Sequence, residues 1–324
     1  MLHSCELRRQ AAQRLGKADY APRQLILLHT GVSLGASLLL AVLNFLFTGA
    51  IEDTGGLGGM GTRALLETAQ AGLELTVSVL LPFWNIGLIR VALNWTREES
   101  ARPTTLLEGF RRFGAVLGMQ VMTAILFFAV GMAVINVGGM LFMLSPWSDD
   151  LTEALAPVMG ASAAEAEKLL TAETIAQIAD AAVPMLLFVG VLFAAVAIPV
   201  WYRIRFAEFA VMDGNRPLIS LLESTRITRG KVWQVVKLDL SFWWFYLLQT
   251  LTVLLCYVGP LLQLAQVDLP LSDDGAYFLF FTLGILCQGV LLWFCQAKVS
   301  VTYGLAYEAL RAPEGQGANC SGDL

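Results

Sequence analysis

Charge is scarce in this sequence. Asp, Glu, Lys and Arg make up 15% of its 324 residues, where soluble domains carry roughly 25%. That leaves too little polar surface to coat a water-soluble globule. Histidine is scarcer still, with His3 and His29 the only two. The five cysteines (Cys5, Cys256, Cys287, Cys295 and Cys320) include no CxxC pair and no Cys/His cluster of metal-binding spacing. A zinc site or dithiol redox motif is therefore not expected. Three of the five lie inside apolar runs, where cysteine behaves as a small hydrophobe. There is no HExxH motif, no Ser/His/Asp set and no nucleophile elbow, so neither a catalytic constellation nor a cofactor is expected. These absences argue against a cytosolic enzyme, a collagen, a long disordered chain and a disulfide-stapled mini-protein.

Apolar residues are abundant: 56% of the chain is hydrophobic, and its mean hydropathy is +0.65. A helix needs about 20 apolar residues to cross the hydrocarbon core of a bilayer. Six stretches qualify, at 25–47, 73–95, 113–144, 183–206, about 240–262 and about 277–303. The expected fold is all-α, a polytopic membrane bundle of six transmembrane helices forming a single domain over 1–312. Short cytoplasmic amphipathic interfacial helices, an outer helical insertion at 145–182 and a disordered cytoplasmic tail at 313–324 complete it. The first stretch is too long for a cleaved signal peptide and lacks a small-residue cleavage site.

The few charges are sorted by side. Lys and Arg concentrate in the amino-terminal segment, in the second-to-third and fourth-to-fifth connections, and after the last span. Only Arg63 and Lys168 fall on the other face. That other face carries Glu52, Asp53, Glu67, Asp149, Asp150 and further carboxylates, so the net charge of −5 is the sum of two opposed faces. The positive-inside rule then predicts an inner-membrane protein with both termini cytoplasmic.

Two of the basic connections resemble each other. Arg102-Pro103 leads to Leu106-Leu107-Glu108 and Arg111; Arg216-Pro217 leads to Leu221-Leu222-Glu223 and Arg226. Thr105 with Glu108, and Ser220 with Glu223, have capping-box spacing, and a proline is at home in a first helical turn. Leu106, Leu107 and Phe110 would share one face of the first helix. Leu218, Leu221, Leu222 and Thr225 would share one face of the second, as in a helix lying among lipid headgroups. Leu7, Ala11 and Leu15 form a weaker third copy. Three same-direction units, each a basic helix followed by a transmembrane pair, differ from the inverted repeats of many ion-coupled carriers.

The residues singled out for lipid-headgroup contact are Arg111, Arg112, Arg226, Arg229 and Lys231. A second polar cluster is expected at cytoplasmic helix ends, from Arg90, Arg203, Arg205, Glu208, Lys237 and Asp239. It would be either a charge network between helix ends or a pocket for a lipid phosphate or small anion. Glu74 and Arg90 read as anchors at the two edges of the second span, and Asn85 as a partner for backbone freed at Pro82. The glycine-rich run 55–61 lacks the Lys-Ser/Thr of a phosphate loop and reads as a flexible loop. Gly31 with Gly35, and Gly114 with Gly118, have GxxxG spacing and predict close helix packing, within the chain or between copies.

The run Ala197-Ile198-Pro199-Val200, Tyr202-Arg203, Glu208 through Pro217, Glu223-Ser224, Arg229-Gly230-Lys231 and Lys237 through Phe242 follows one pattern, with Glu6-Leu7-Arg8 and Tyr303 through Glu308 at the ends. It resembles the bacterial integral-membrane family known as domain of unknown function 975, related to the membrane part of glycerophosphodiester phosphodiesterases. The likeness is sharpest between Ile198 and Phe242 and departs in the outer segment between the third and fourth spans. It implies a multi-pass bacterial membrane protein. Without a soluble phosphodiesterase domain, it does not carry over hydrolysis. The expected function is non-enzymatic: engaging anionic lipid headgroups to organise the membrane or support a membrane complex. The expected partners are membrane lipids with anionic headgroups and either a membrane-protein partner or further copies of the chain in a homo-oligomer, and no nucleic acid. The alternative is a transporter or flippase for an amphiphilic or small anionic solute.

Overall fold

The computed structural model describes residues 4–53, 60–159, 171–258, 261–262 and 273–312. Residues 55–59 of the glycine-rich run, residues 160–170 of the expected outer insertion, the tail 313–324 and Cys320 lie outside the described residues. Among those described there are helices and turns and no strand. In chain order the helices are α1 (Ser4–Gly16), α2 (Pro22–Asp53), α3 (Met60–Thr96), α4 (Glu108–Arg111), α5 (Phe113–Met143) and α6 (Ser148–Met159). They continue with α7 (Ala172–Ile204), α8 (Ala207–Met212), α9 (Pro217–Ile227), α10 (Val232–Leu240), α11 (Trp243–Cys256) and α12 (Asp273–Arg311). A 3-10 turn, Pro103–Leu107, precedes α4.

Helices α2, α3, α5, α7 and α12 are each long and apolar enough to cross a membrane. The fifth apolar run forms a bent helix pair: α10 and α11 meet at an angle of 64°. The break falls at Ser241, whose amide donates to the carbonyls of both Lys237 and Leu238 and whose hydroxyl also donates to the Leu238 carbonyl. Counting the bent pair as one span gives the six that the apolar runs predict. The chain is an all-α, multi-pass membrane protein. Its surface says the same, since Leu65, Phe128, Val191 and Leu286 each have more than three-fifths of their surface exposed on these helices. Apolar surface of that extent calls for lipid rather than water.

The described residues form two compact units, one drawn from the chain up to Leu117 and from Phe206 onward, the other from Gly118–Arg205. In the second unit α5 and α7 come close at Gly138, where a Cβ would meet Leu192 and Val189 at 3.2 and 3.3 Å. Phe142 is buried and faces Phe188. Thr171 caps α7, its hydroxyl accepting from the Thr174 amide. Residues 172–182, expected as a separate piece of the outer insertion, are therefore continuous with the fourth spanning helix.

The core of the first unit lies at its basic end. Phe83 and Val91 of α3, Leu25 and Ile26 of α2, Val301 and Tyr307 of α12, Leu106, Phe206 and Met212 are all fully buried. With 39 residues, α12 is about 58 Å long, against a hydrocarbon core of about 30 Å. Its last turns continue past the span into this core. Helix α1 docks here through Leu7 and Ala11, so its apolar stripe is covered by protein.

Close backbone approach occurs at glycines other than Gly31, Gly35 and Gly114. A Cβ at Gly31, Gly35 or Gly114 would meet nothing within 4 Å, so those positions bring no helices together within the chain. Instead a Cβ at Gly87 would collide with the Leu106 carbonyl, and one at Gly109 with the Phe83 carbonyl. The two collisions lie on opposite sides of one contact, which presses the 3-10 turn and α4 onto α3 backbone to backbone.

Candidate functional site

Both basic repeats begin alike. Arg102 and Arg216 are extended residues immediately before a helical turn whose first residue is proline. The expected capping boxes do not form, because each helical segment starts earlier than that spacing requires. Thr105 is the third residue of its turn, and its hydroxyl accepts from the Arg102 amide. Ser220 lies one turn inside α9, with its hydroxyl donating to the Arg216 carbonyl.

From there the copies diverge. The first is held tightly against α3. Leu106 is fully buried while Leu107 beside it is 47% exposed, so the expected shared apolar face is split. The second is a full helix whose inward face is made of hydroxyls. Ser220, Ser224 and Thr228, four residues apart, are completely buried. The Ser224 hydroxyl accepts from the Phe206 amide at 3.1 Å, and Thr228 donates to the Ser224 carbonyl at 2.7 Å. Small side chains allow α9 to lie close to α8, and Leu218, Ile219 and Leu222 are left on the outside, each at least half exposed.

At the inner end of α9 the structure assembles a charge hub that sequence reasoning did not single out. Arg97, just past α3, reaches Asp213 at 2.7 Å and Glu308 of α12 at 2.5 Å. Arg311 pairs with Asp213 as well and with Glu223 of α9 at 3.2 Å, and Glu223 also accepts from Asn215. Beside it, Arg14 and Lys17 both pair with Glu98. Hydrogen bonding to Asp213 raises the Arg97 pKa above its ordinary value despite partial burial. Burial pushes the Asp213 carboxyl up, but its hydrogen bond to Arg97 and the charges of Arg97 and Arg311 outweigh burial and hold it below the usual value. The hub ties α3, the α8–α9 turn, α9 and α12 together.

Against this hub opens a cavity of about 800 Å³. Its polar lining is Arg226, Arg229, Lys231, Arg311 and Glu223, and its apolar lining includes Ile219, Leu222, Ile227 and Leu310. Three of the five expected headgroup residues thus share one recess. The other two are elsewhere: Arg111 pairs with Glu108 at 2.6 Å, and Arg112 donates to the Val211 carbonyl at 3.1 Å, tying the start of α5 to α8.

The expected polar cluster at helix ends is spread over several sites. Arg90 donates to the Met212 carbonyl at 3.4 Å. Lys237 lies over the Trp233 ring. Asp239 accepts from Tyr303, whose hydroxyl is 2.7 Å from that of Tyr246. Arg203 and Arg205 close α7 in the second unit, with Arg205 over Trp201, whereas Glu208 lies in the first turn of α8 in the first unit. Glu74 accepts from Asn44 at 2.9 Å, joining α2 to α3.

What the fold defines is a multi-pass α-helical membrane protein. No family model, no curated protein and no solved structure matches the chain.

Proposed function

We propose that the protein is a non-enzymatic bacterial inner-membrane protein whose basic end engages anionic lipid headgroups and thereby organises the bilayer or supports a membrane complex. The observation that carries this reading is the recess beside α9. Arg226, Arg229 and Lys231 line it together with apolar side chains, and Leu218, Ile219 and Leu222 stand outward on the same helix. A phosphate among the cations, with acyl chains along the leucines, is what such a surface accommodates. The same basic end gathers the amino-terminal helix, both basic connections and the end of α12, so the positive-inside rule assigns it to the cytoplasm together with both termini. Kinship with the family of unknown function 975 fits this reading and adds no activity to it.

The test uses the full chain purified in neutral detergent and exposed to equal amounts of anionic and zwitterionic lipid, with retained lipid measured by native mass spectrometry. Anionic lipid should be retained preferentially, and Arg226→Gln with Arg229→Gln should remove the preference. Equal retention by the wild type, or an unchanged preference in the double variant, would end the headgroup reading.

A further inference from the structure

The recess beside α9 holds more positive charge than a single phosphodiester can balance. Its lining carries four cations against Glu223, and Asp213 also pairs with Arg311, which leaves an excess of two positive charges. Glu223 is already engaged by Arg311 and Asn215. Arg226 lies in the last turn of α9, and Arg229 follows three residues later, its amide donating to the Arg226 carbonyl. Like charges held close together repel, and an anion between them is attracted to both. Each guanidinium presents a planar fork that matches a phosphate in bidentate fashion.

The size of the site agrees. At about 800 Å³ it lies toward the upper end of the roughly 300–1,000 Å³ of ligand pockets, well beyond what one phosphate fills. Two apolar members of its wall, Ile219 and Leu222, are at least half exposed, which suits a ligand carrying acyl or prenyl chains better than a free anion in water.

We infer that this recess takes a lipid whose headgroup carries two phosphates, recognised by Arg226 and Arg229 together. This rests on the headgroup reading above and narrows it to one chemical class. Two lipid sources share that chemistry: two phosphodiesters bridged by glycerol, as in diphosphatidylglycerol, and a diphosphate on a polyprenyl chain.

The experiment is a competition on the full-length protein in neutral detergent, followed by native mass spectrometry. The probes are diphosphatidylglycerol, polyprenyl diphosphate, their one-phosphate counterparts phosphatidylglycerol and polyprenyl monophosphate, and inorganic pyrophosphate. At least one two-phosphate lipid should bind about tenfold or more tightly than its one-phosphate counterpart, the gain expected from one additional charge-assisted contact. Which of the two does so assigns the source. Arg226→Gln or Arg229→Gln alone should bring that lipid to the level of its counterpart, with the melting temperature unchanged because both side chains are exposed. If one- and two-phosphate lipids bind equally and both depend on these arginines, the two-phosphate inference is wrong while the headgroup reading stands. If inorganic pyrophosphate binds as tightly as the lipids, the lipid assignment is overturned. If no anionic lipid is preferred over a zwitterionic one, both readings fail.

Discussion

Asp213→Asn removes one charge from the hub with almost no change in shape, and its consequence can be bounded from the structure. Asp213 is 11% exposed, Arg97 26% and Arg311 42%. Breaking a fully buried pair costs about 3–5 kcal/mol, and an exposed pair is worth about 1 kcal/mol or less. The hub lies between these limits. Arg97 keeps Glu308 and Arg311 keeps Glu223, so neither arginine is stranded. An expected loss of about 2 kcal/mol follows, taken between the two limits. In a unit of this size that lowers the melting temperature by about 4–8 °C. The readout is thermal unfolding in detergent by tryptophan fluorescence. The pH dependence supplies a second check. A carboxyl held below its ordinary value stabilises the fold above its unfolded pKa of about 3.9, and that contribution disappears as pH falls through the lower folded value. The gap between wild type and Asp213→Asn should therefore be full at pH 7 and close as the pH drops below about 4. A variant melting with the wild type at pH 7, or a gap that persists unchanged into acid, would refute the hub as a source of stability.

The glycines make a paired prediction. Gly109→Ala must push the Phe83 carbonyl aside and should cost about 1–3 kcal/mol, whereas Gly31→Ala meets open space and should gain about 0.5–1 kcal/mol from helix propensity; equal effects in the same melting assay would contradict the contact between α3 and α4. Ser224→Ala leaves the buried Phe206 amide without this acceptor, at about 1–3 kcal/mol. Thr225→Ala next to it, whose hydroxyl bonds only within α9 among the contacts observed, should change stability by less than about 0.5 kcal/mol. Tyr303→Phe removes the donor to Asp239 and should loosen α10 from α12, seen as faster proteolysis near the Ser241 break while the hub itself stays intact.

The spans were legible because a bilayer demands length and apolarity from every crossing helix, and those two properties are written in composition alone. The bend at Ser241 was not legible in this way. The apolar run from Leu240 onward continues the helical pattern, and the break depends on local hydrogen bonding together with the hold of Tyr303 on Asp239. Helix ends were misjudged where a helix outran the membrane. The last turns of α12 are polar enough to leave the bilayer and still pack as core. The GxxxG spacing identified glycines but could not say what lies opposite them. Gly87 and Gly109, with no such spacing, make the close contact because each faces a carbonyl on another segment.

The site was half legible for a related reason. Arg226, Arg229 and Lys231 could be grouped from sequence because they are neighbours in the chain, and the recess collects them. The hub joins residues as far apart as Arg97, Asp213 and Glu308, and spacing along a chain cannot report such a meeting. Helix α9 shows how periodicity and environment divide the work. Its pattern puts Leu218, Leu221 and Leu222 together on one face, yet it does not say which face turns inward. In water the leucines would be buried. Here Ser220, Ser224 and Thr228 are buried and the leucines stand outside, an arrangement that is stable where lipid receives the leucines and small hydroxyl side chains let helices approach closely. The same inversion sets Arg226 and Arg229 at the edge of the apolar surface, where a headgroup and its chains would meet.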